Sequence, residues 1–548
     1  MRAAEEGKLT ELTEEIFDWF FRIHPTSGTF VGMHSYDDHL EDMSVEQLEE
    51  NLEKCKDYQY RLLAVDESAL SKEKEVDYRL LESMLADMVR EHEKLETHKK
   101  NPIVYLNPAV ESIYLLLIRD SYPLEDRLRN GLERMRQVPA LLEAAKRQLK
   151  HPPAVFLETT LLHIQGAWNF YCQTIPEIAE EVPDLKKELV SEAENVCSAL
   201  KEFKEFIQGL TETAAGNFAV GEEVFNELLR ERHFMGYDTE NLLYKGQELV
   251  AHTHRELESL AQEIDPSQDW REIVKDTKKE HPDADDLIEY YRRELDRVKQ
   301  FVIDHDIVEF PEQEDLIVEE TPMHFRPLIP YAAYLPPGAF SKDQLGRFWV
   351  TPVAPGLSKS EQEAMLGEHS KYSIPIKVLH EAYPGHHLQL CHSNYAQSKV
   401  KKLYQSTLFA EGWAFYCEEL LEELGYISDP KVKLHRLKDQ AWRAARIVLD
   451  VSLHTGKMNF NEAVDYLVSN AMLEKESARA EVRRYAQTPT QPMSYLMGKQ
   501  EIMKIVNGYW EKHGASATLK EFHRELLSHG TIPPALVKEL VLDEEAAL

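Results

Sequence analysis

The chain is 548 residues long, with 43% hydrophobic and 29% charged residues, which is ordinary globular usage and excludes a largely disordered chain. Its 63 basic and 97 acidic residues give a net charge of −34. Because such a surface repels phosphate backbones and anionic lipid, neither a nucleic acid nor a membrane is expected as a partner.

The cysteines and the N-terminal segment predict a cytoplasmic protein. The five cysteines are odd in number and form no CxxC pair, which disfavours a disulfide framework and favours a reducing compartment. Residues 1–21 contain no basic stretch followed by a continuous apolar one, so no signal peptide is predicted. No run approaches the roughly 18 apolar residues of a membrane-spanning helix.

Most of the chain predicts α-helix. Near the N-terminus, Leu12, Ile16 and Trp19 recur at the spacing of one helical face. The chain has only 22 glycines, too few for the many tight turns of a β-rich protein. Helix also returns from about residue 360 to the end. Comparable helical stretches lie at 46–100, 124–150, 186–210, 221–262 and 284–304.

One segment interrupts the helical pattern. Residues 321–360 contain seven prolines, which disfavour helix. Within it, Gly346–Thr351 is an aromatic and β-branched run that predicts a strand of a small sheet. It is either a structural hairpin on a helical body or an edge strand that binds an extended peptide, with Val350 against the substrate backbone. This break divides the chain into an N-terminal helical half, 1–320, and a C-terminal half, 321–548.

The segment Val378–Gln389 carries the strongest chemical signal. It places His380 next to Glu381, and His386 and His387 follow. Two imidazoles that bind zinc, with a neighbouring glutamate that activates water, form the site of many metallopeptidases. The alternative is a helix interrupted by a Pro-Gly turn, with exposed histidines.

The spacing of these histidines departs from the usual HExxH, in which the two ligands lie four residues apart on one helical face. His386 and His387 lie too far along the chain for a regular helix to bring either to the same ion as His380. Pro384 and Gly385 lie between them and permit a distortion. A widened turn would bring His386 into the place of the usual second ligand, and His387 remains the alternative.

A third ligand is expected from the next helix. Glu411 is a single early carboxylate in the apolar run 408–417, where a charge is costly unless it is paired or binds a metal. The chain between His386 and Glu411 has room for a helix, a turn and an antiparallel helix. Ordinary ion pairing is the alternative for Glu411. Glu418 and Glu419 are rival ligands, but they belong to an acidic run that predicts a solvated face.

The helical stretch 439–454 has an inverted pattern. It is apolar except for one polar stripe that contains Arg443, Arg446 and Asp450 and ends at His454. The stripe predicts either a buried Arg–Asp network that holds helices together or a cleft-facing surface. In the second case His454 would donate a hydrogen bond to the substrate.

Residues 481–498 contain an irregular turn that displays several polar groups. A zinc peptidase needs a donor for the developing oxyanion, and Tyr495 could serve. Arg484 could bind the terminal carboxylate of a substrate, with Tyr485 and Gln491 beside it. Ordinary packing or surface pairing is the alternative for each of these residues.

Taken together, these segments resemble the bacterial DUF885 family. The hallmarks of that family look like HExxPGHH, EGWAxY, D-x-x-x-H and RYxxxPxQxxxYxxG. The resemblance spans nearly the whole chain, although Thr490 stands where the family usually has glycine. The matching segments are residues 24–40, Phe325–Val350, His380–His387, Glu411–Tyr416, Asp450 with His454, and Arg484–Gly498.

The DUF885 family is thought to be related to the helical gluzincin peptidases, such as thimet-type oligopeptidases, angiotensin-converting enzyme and thermostable carboxypeptidases. The resemblance therefore implies a mostly α-helical fold, with a deep central cleft and a small β-sheet near the active site. Residues 1–320 would form one wall of this cleft, and residues 321–548 would carry the zinc site and the sheet. It also implies Zn²⁺ held by His380, His386 and Glu411, with Glu381 as the base.

We therefore expect a zinc-dependent metallopeptidase that hydrolyses short peptides, as a carboxypeptidase or an oligopeptidase. Glu381, Tyr495 and His454 would act in catalysis, while Arg484, Gln491, Tyr485 and Val350 would contact the substrate. One alternative is a metal-dependent hydrolase of non-peptide amides or esters. Another is a non-catalytic metal- or peptide-binding module, which closure of the metal site by His387 would favour.

Overall fold

A computed structural model of the protein describes residues 1–119, 121–323, 326, 329, 331–341, 344–354 and 356–543. The chain divides into two compact units, Met1–Phe218 with Gly338–Lys342, and Ala219–Pro337 with Asp343–Leu548. The predicted boundary at residue 320 falls inside the second unit, and the assignment of the two halves to cleft walls stays a prediction. Phe325, where one family-like region begins, lies outside the described residues.

The first unit consists of helices that pack through apolar faces. In its last long helix, Leu189, Val196 and Phe203 lie seven residues apart on one buried face. The helices predicted at 124–150 and 186–210 are confirmed, whereas the stretch 46–100 is divided into three helices. The helices of this unit are α1 (Arg2–Ile23), α2 (Pro25–Val31), α3 (Val45–Leu63), α4 (Lys72–Arg90), α5 (Thr97–Lys100), α6 (Ile103–Ile118), α7 (Leu124–Gln148), α8 (Ala154–Asn169), α9 (Ile175–Ala179) and α10 (Lys186–Thr211).

A disulfide within the first unit contradicts the prediction against disulfides. Cys172, in the turn that follows α8, is bonded to Cys197 of α10. The two cysteines are 25 residues apart and meet because α10 packs against α8, which no local sequence pattern reveals. Cys55, Cys391 and Cys417 are free and buried.

The second unit combines helices with one small sheet. The helix predicted at 284–304 is confirmed, and the stretch 221–262 is divided by a break before Thr239. Its elements are α11 (Glu222–Glu227), α12 (Thr239–Ile264), α13 (Trp270–Thr277), α14 (Leu287–Asp304), β1 (Glu314–Glu320), β2 (Ala332–Leu335), β3 (Gln344–Val350), α15 (Lys359–Gly367), α16 (Ile374–Glu381), α17 (His386–Ser393), α18 (Lys399–Leu403), α19 (Thr407–Glu423), α20 (Pro430–His454), α21 (Phe460–Ala471), α22 (Lys475–Gln487), α23 (Ser494–His513), α24 (Leu519–Ser528) and α25 (Pro534–Leu542).

The predicted strand is present, but it is not an edge strand. β3 lies between β1, to which it is parallel, and β2, to which it is antiparallel. Val350 is fully buried and pairs with Glu320 on one side and Ala332 on the other. The interpretation of this strand as a peptide-binding edge is therefore wrong, because the main-chain groups around Val350 are already engaged by neighbouring strands.

Two glycines let a pair of core helices of the second unit approach closely. Gly412 of α19 lies against Gly498 of α23, and a Cβ at either position would overlap the backbone of the opposite helix. Small residues at a helix crossing permit such an approach because they leave room for the neighbouring backbone. The crossing fixes Glu411, next to Gly412, relative to Tyr495, one turn before Gly498.

The predicted mostly α-helical fold with a small β-sheet is confirmed. Within the described part of the chain, no single helix is long and apolar enough to cross a membrane. Two helical stretches that meet at a sharp bend, Lys72–Lys100 and Ile103–Ile118, together reach the length and apolar composition of a membrane-spanning segment.

Candidate metal centre

A break between two helices brings the histidines together. α16 ends at Glu381, and α17 begins at His386. Across the break, the Gly385 amide donates to the carbonyl oxygen of Leu379 at 3.1 Å. This bond spans six residues instead of the four of an α-helix, so two extra residues are accommodated. His386 therefore takes the place of the usual second ligand, through a complete break instead of the predicted widened turn.

Residues of two sequence motifs hold this break in shape. A Cβ at position 385 would overlap the carbonyl oxygens of Leu379 and His380, so the approach of the chain requires glycine there. The buried indole of Trp413, on α19, donates to the carbonyl oxygen of Pro384 at 2.8 Å. The motif that contains Glu411 thus also anchors the loop between the two histidines.

Three potential ligand atoms converge at this point. Oε2 of Glu411 lies 3.6 Å from Nε2 of His380 and 3.4 Å from Nε2 of His386. Bonds of about 2.0–2.2 Å in tetrahedral geometry place the ligand atoms of a zinc ion roughly 3.3–3.5 Å apart. Glu381 belongs to the same cluster, since its carboxylate and the two imidazoles offer atoms within 4.8 Å of one another.

The chemical state of Glu411 also suits a cation. Its Oε2 is buried and has no hydrogen-bond partner among the residues that the structure describes. Although burial raises the pKa of Glu411, the imidazoles of His380 and His386 hold that pKa well below its usual range. A buried carboxylate oxygen that stays charged is costly unless a cation or donor reaches it. The residues present therefore fit a divalent metal ion.

Glu418 orients the first histidine. Its Oε1 lies 2.8 Å from Nδ1 of His380, which leaves Nε2 of that ring directed toward Glu411. Burial lowers the pKa of His380, but Glu411 and Glu418 outweigh it and raise that pKa to about 10. The prediction that Glu418 is solvated is wrong, because only 1% of it is exposed. Its spacing of two helical turns from Glu411 was the available signal.

His387 is engaged elsewhere. Its Nε2 lies 2.9 Å from Oε1 of Glu314 on β1, and its Nδ1 lies 2.9 Å from the hydroxyl of Tyr334 on β2. Tyr383 also donates to Glu314, and Lys299 lies 3.4 Å from the same carboxylate. His387 is thus part of a buried network against the sheet, and His386 is the histidine that faces Glu411.

The polar stripe of α20 holds the turn that precedes Tyr495. Asp450 accepts hydrogen bonds from the amides of Thr490 and Met493, each at 3.0 Å. His454 is fully buried, and its Nε2 lies 3.0 Å from the carbonyl oxygen of Tyr485. These contacts give Asp450 and His454 a buried structural role, although the partners of Asp450 are backbone amides instead of the arginines of the predicted network. The structure does not bring His454 into the cluster of His380, His386 and Glu411.

A glycine-like conformation occurs at Thr490. Its φ of 68° lies in the left-handed region that β-branched residues rarely adopt. Its hydroxyl lies 2.9 Å from Nε2 of His233, which is a bond that glycine could not make. The turn is therefore kept despite the departure from the family pattern.

Tyr495 lies near the cluster of His380, His386 and Glu411, because its helix α23 crosses α19 at Gly498 and Gly412. Burial, followed by the Glu411 carboxylate, raises the pKa of Tyr495, so the phenol keeps its proton at neutral pH. Gln491 reaches its hydroxyl at 3.5 Å, and Arg484 donates to Gln491 at 2.8 Å. The Tyr485 hydroxyl instead accepts hydrogen bonds from α20, which makes it a buried packing residue.

Comparisons with known proteins agree with this architecture. The sequence profile of a family described as bacterial proteins of unknown function, DUF885, matches residues 25–541. No curated protein matches the chain. A structure from Shewanella oneidensis, described as a "putative lipoprotein of unknown function", is 24% identical over 97% of this chain and 99% of that one, with a TM-score of 0.81. A "putative lipoprotein" from Colwellia psychrerythraea is 17% identical over 98% and 99%, with a TM-score of 0.84. At these identities, the likeness establishes a shared fold.

Proposed function

The chain belongs to the DUF885 family of bacterial proteins, and we propose that it is a zinc-dependent peptidase that hydrolyses short peptides. The observation that carries the proposal is the buried Oε2 of Glu411, which lies 3.6 and 3.4 Å from the two Nε2 atoms of His380 and His386. Two imidazoles and one carboxylate favour zinc over magnesium or calcium, which prefer ligand sets made of oxygen alone.

The residues around the cluster supply the other requirements of amide hydrolysis. A zinc ion held by His380, His386 and Glu411 would supply Lewis acidity and make a water molecule more acidic. Glu381 takes the proton of the attacking water and passes it to the leaving amine. The protonated phenol of Tyr495 donates to the oxygen on which negative charge develops.

The relationship to gluzincin peptidases is part of the proposal. Two histidines, a glutamate next to the first of them and a third ligand from a following helix are the elements that those enzymes share. Here the second histidine is two residues later than in HExxH, and the break between α16 and α17 offsets this difference.

An extended substrate would pair with an outer strand of the sheet. The middle strand β3 is engaged on both sides, so this role falls to β1 or β2. Both outer strands contact His387, the neighbour of His386, through Glu314 of β1 and Tyr334 of β2. A peptide along either strand would thus lie beside a residue that adjoins a proposed ligand.

The direct test is zinc-dependent hydrolysis of a peptide library by the parent protein and by Glu381→Gln. We expect the parent to cleave peptides only when loaded with zinc, and Glu381→Gln to bind zinc but lose at least about 100-fold in kcat, because general base catalysis is removed. Equal turnover by both proteins would remove Glu381 as the base.

Two alternative functions make different demands on the same residues. Hydrolysis of non-peptide amides or esters would use the same groups. Substrate profiling at a fixed zinc concentration distinguishes this activity from peptide hydrolysis. A non-catalytic site closed by His387 as a fourth protein ligand is disfavoured, because His387 bonds with Glu314 and Tyr334 instead.

We also propose an oxidising compartment in place of the cytoplasmic location predicted from the sequence. The disulfide between Cys172 and Cys197 supports this, because structural disulfides persist mainly outside the reducing cytosol. The description of the two similar structures as putative lipoproteins is consistent with the same compartment.

A further inference from the structure

Two arginines lie on one face of α20 beside Tyr495. The guanidinium carbon of Arg446 is 4.3 Å from the ring centre of Trp442 and 4.5 Å from that of Tyr495. That of Arg443 is 4.9 Å from Trp442 and 5.8 Å from Tyr495. Aromatic faces hold guanidinium groups by cation–π attraction without using their N–H donors. These ring contacts therefore occupy none of the N–H donors of the two arginines.

Each arginine has a buried donor with no hydrogen-bond partner among the described residues. The Arg446 side chain is only 5% exposed, and its Nε and Nη2 donate to Tyr485 and Glu481, but its Nη1 is unpaired. The Nη1 of Arg443 contacts Asp439 at 3.5 Å, whereas its buried Nε is unpaired. Unpaired buried donors of a charged group are costly, so they indicate a ligand that is absent here.

The charges around the pair also favour an anion. Arg446 and Arg484 both pair with a single carboxylate, that of Glu481, at 3.1 and 2.8 Å. The cluster therefore contains three guanidinium groups, those of Arg443, Arg446 and Arg484, paired with two carboxylates, those of Asp439 and Glu481. This local excess stands out in a chain whose net charge is −34. A negatively charged ligand would be attracted to this point specifically.

The arginine pair lies near the metal ligands. The ring of Phe415 is 6.2 Å from that of His380, and its centre is 5.2 Å from the guanidinium carbon of Arg443. His380 and Arg443 are thus separated by no more than these two distances together. Tyr495 makes a second link, since it packs against both arginines and lies one turn before Gly498, which contacts Gly412 beside Glu411.

We propose that Arg443 and Arg446 bind the C-terminal carboxylate of the substrate, so that the enzyme removes residues from the free C-termini of peptides. This inference rests on the proposed function and names its substrate class. It also moves the carboxylate subsite from Arg484, whose two terminal nitrogens already donate to Gln491 and Glu481. A carboxylate would accept from Nη1 of Arg446 and Nε of Arg443.

The same distances limit the length of the product. An extended chain advances about 3.3–3.6 Å for each residue. The separation of His380 and Arg443 therefore leaves room for at most about three residues between the scissile bond and the terminal carboxylate. The released product would be an amino acid, a dipeptide or a tripeptide.

The test compares free and blocked C-termini. A pool of N-acetylated tetrapeptides with randomised side chains is prepared as free acids and as C-terminal amides. Hydrolysis is measured with the zinc-loaded parent, and equilibrium binding is measured with the zinc-loaded Glu381→Gln variant. We expect free acids to be preferred roughly 10- to 100-fold in both kcat/KM and binding, which is the range of a charge-assisted hydrogen bond.

Variants assign this preference to residues. Arg443→Gln and Arg446→Gln, each also made in the Glu381→Gln background, are expected to lose the preference for acids while binding of amides changes less than about threefold. Arg479→Gln, on the neighbouring helix α22 and in contact with Asn461, is the control and should keep it. If Arg446→Gln does not fold, Arg443→Gln still tests the carboxylate subsite, because the Arg443 side chain is 14% exposed and its substitution disturbs the core less.

The outcomes separate this inference from the proposed function. If the protein binds free acids selectively but the parent hydrolyses no peptide, the proposed peptidase activity is refuted and the carboxylate-binding role of the two arginines is kept. Hydrolysis of acids and amides at equal rates would retain the peptidase and refute the subsite. Equal binding of both pools, binding of neither, or a preference for acids that survives both arginine substitutions would likewise overturn the inference.

Discussion

Glu418 lies 2.8 Å from Nδ1 of His380, on the side of the ring opposite to Nε2, which faces Glu411. A carboxylate in this position fixes the tautomer and orientation of a metal-binding imidazole and makes it more basic. The side chain is almost completely buried, so this contact is part of the core and not a surface ion pair.

Substitution of Glu418 should therefore weaken zinc binding although Glu418 itself binds no metal. We expect Glu418→Gln to raise the Kd for zinc by about 10- to 100-fold, measured by competition with a chromogenic chelator. Glu419→Gln is the matched control, because Glu419 pairs with Lys499 instead of His380. Equal zinc affinity of the parent and Glu418→Gln would show that the carboxylate does not orient the ligand.

Gly385→Ala should damage the metal site and the stability together. The added methyl group would overlap two carbonyl oxygens of α16, so the break that places His386 could not close as it does. We expect a loss of about 1–3 kcal/mol in unfolding free energy and less than half the zinc content of the parent. In Gly209→Ala the methyl group meets no atom within 4 Å, and this helical control should be neutral or slightly stabilising. Normal zinc content in Gly385→Ala would contradict this account.

Buried histidines should make the protein sensitive to acid. Burial lowers the pKa of His233, His369 and His435 to about 3 and that of His523 to about 4. In the unfolded chain these groups take up protons near pH 6.5. The unfolded state therefore binds more protons below this pH, and stability falls as the pH falls from about 6.5 toward 4.

We expect the unfolding free energy in urea, measured with metal removed, to fall by on the order of 1–2 kcal/mol for each of these histidines between pH 7 and 5. His380 and Asp450, whose pKa values are raised to about 10 and about 8, act in the opposite sense but are fewer than these four histidines. His435→Gln should reduce the slope by about one proton, while the exposed His252→Gln should not. Stability that is constant between pH 7 and 5 would refute this prediction.

The disulfide should stabilise the first unit. Cys172 and Cys197 close a loop with a sequence separation of 25, for which the chain-entropy estimate is roughly 3 kcal/mol. The double variant Cys172→Ser with Cys197→Ser is expected to lose about 2–4 kcal/mol in unfolding free energy. In the denatured but unreduced parent, alkylation should label only Cys55, Cys391 and Cys417. Five labelled cysteines would show that the bond does not form.

The helical fold and the proximity of His380, His386 and Glu411 could be predicted from helical periodicity and from the spacing of the motifs. Helical periodicity identified α7, α10 and α14 closely, and the spacing of His380, Pro384 and His386 indicated a distorted site. Strand order is not local. β3 was recognised as a strand, yet its position between β1 and β2 depends on pairing with segments that have no comparable pattern.

The parts of the site that were missed depend on tertiary packing. Glu418 lies in an acidic run and looks solvated until the packing of α19 against α16 buries it. The choice between His386 and His387 depends on Glu314, a residue of the unpredicted strand β1. The polar stripe that contains His454 is compatible with both a cleft-facing surface and a buried network. Only the contact of His454 with Tyr485 distinguishes these two arrangements.

The central claim is that His380, His386 and Glu411 bind one metal ion, and the neighbouring histidines provide its most direct test. The zinc content of the parent, His386→Gln and His387→Gln is measured after dialysis by inductively coupled plasma mass spectrometry. We predict one zinc per chain in the parent and in His387→Gln, and almost none in His386→Gln. A parent that retains no zinc, or zinc that is lost with His387 and kept without His386, would contradict the claim.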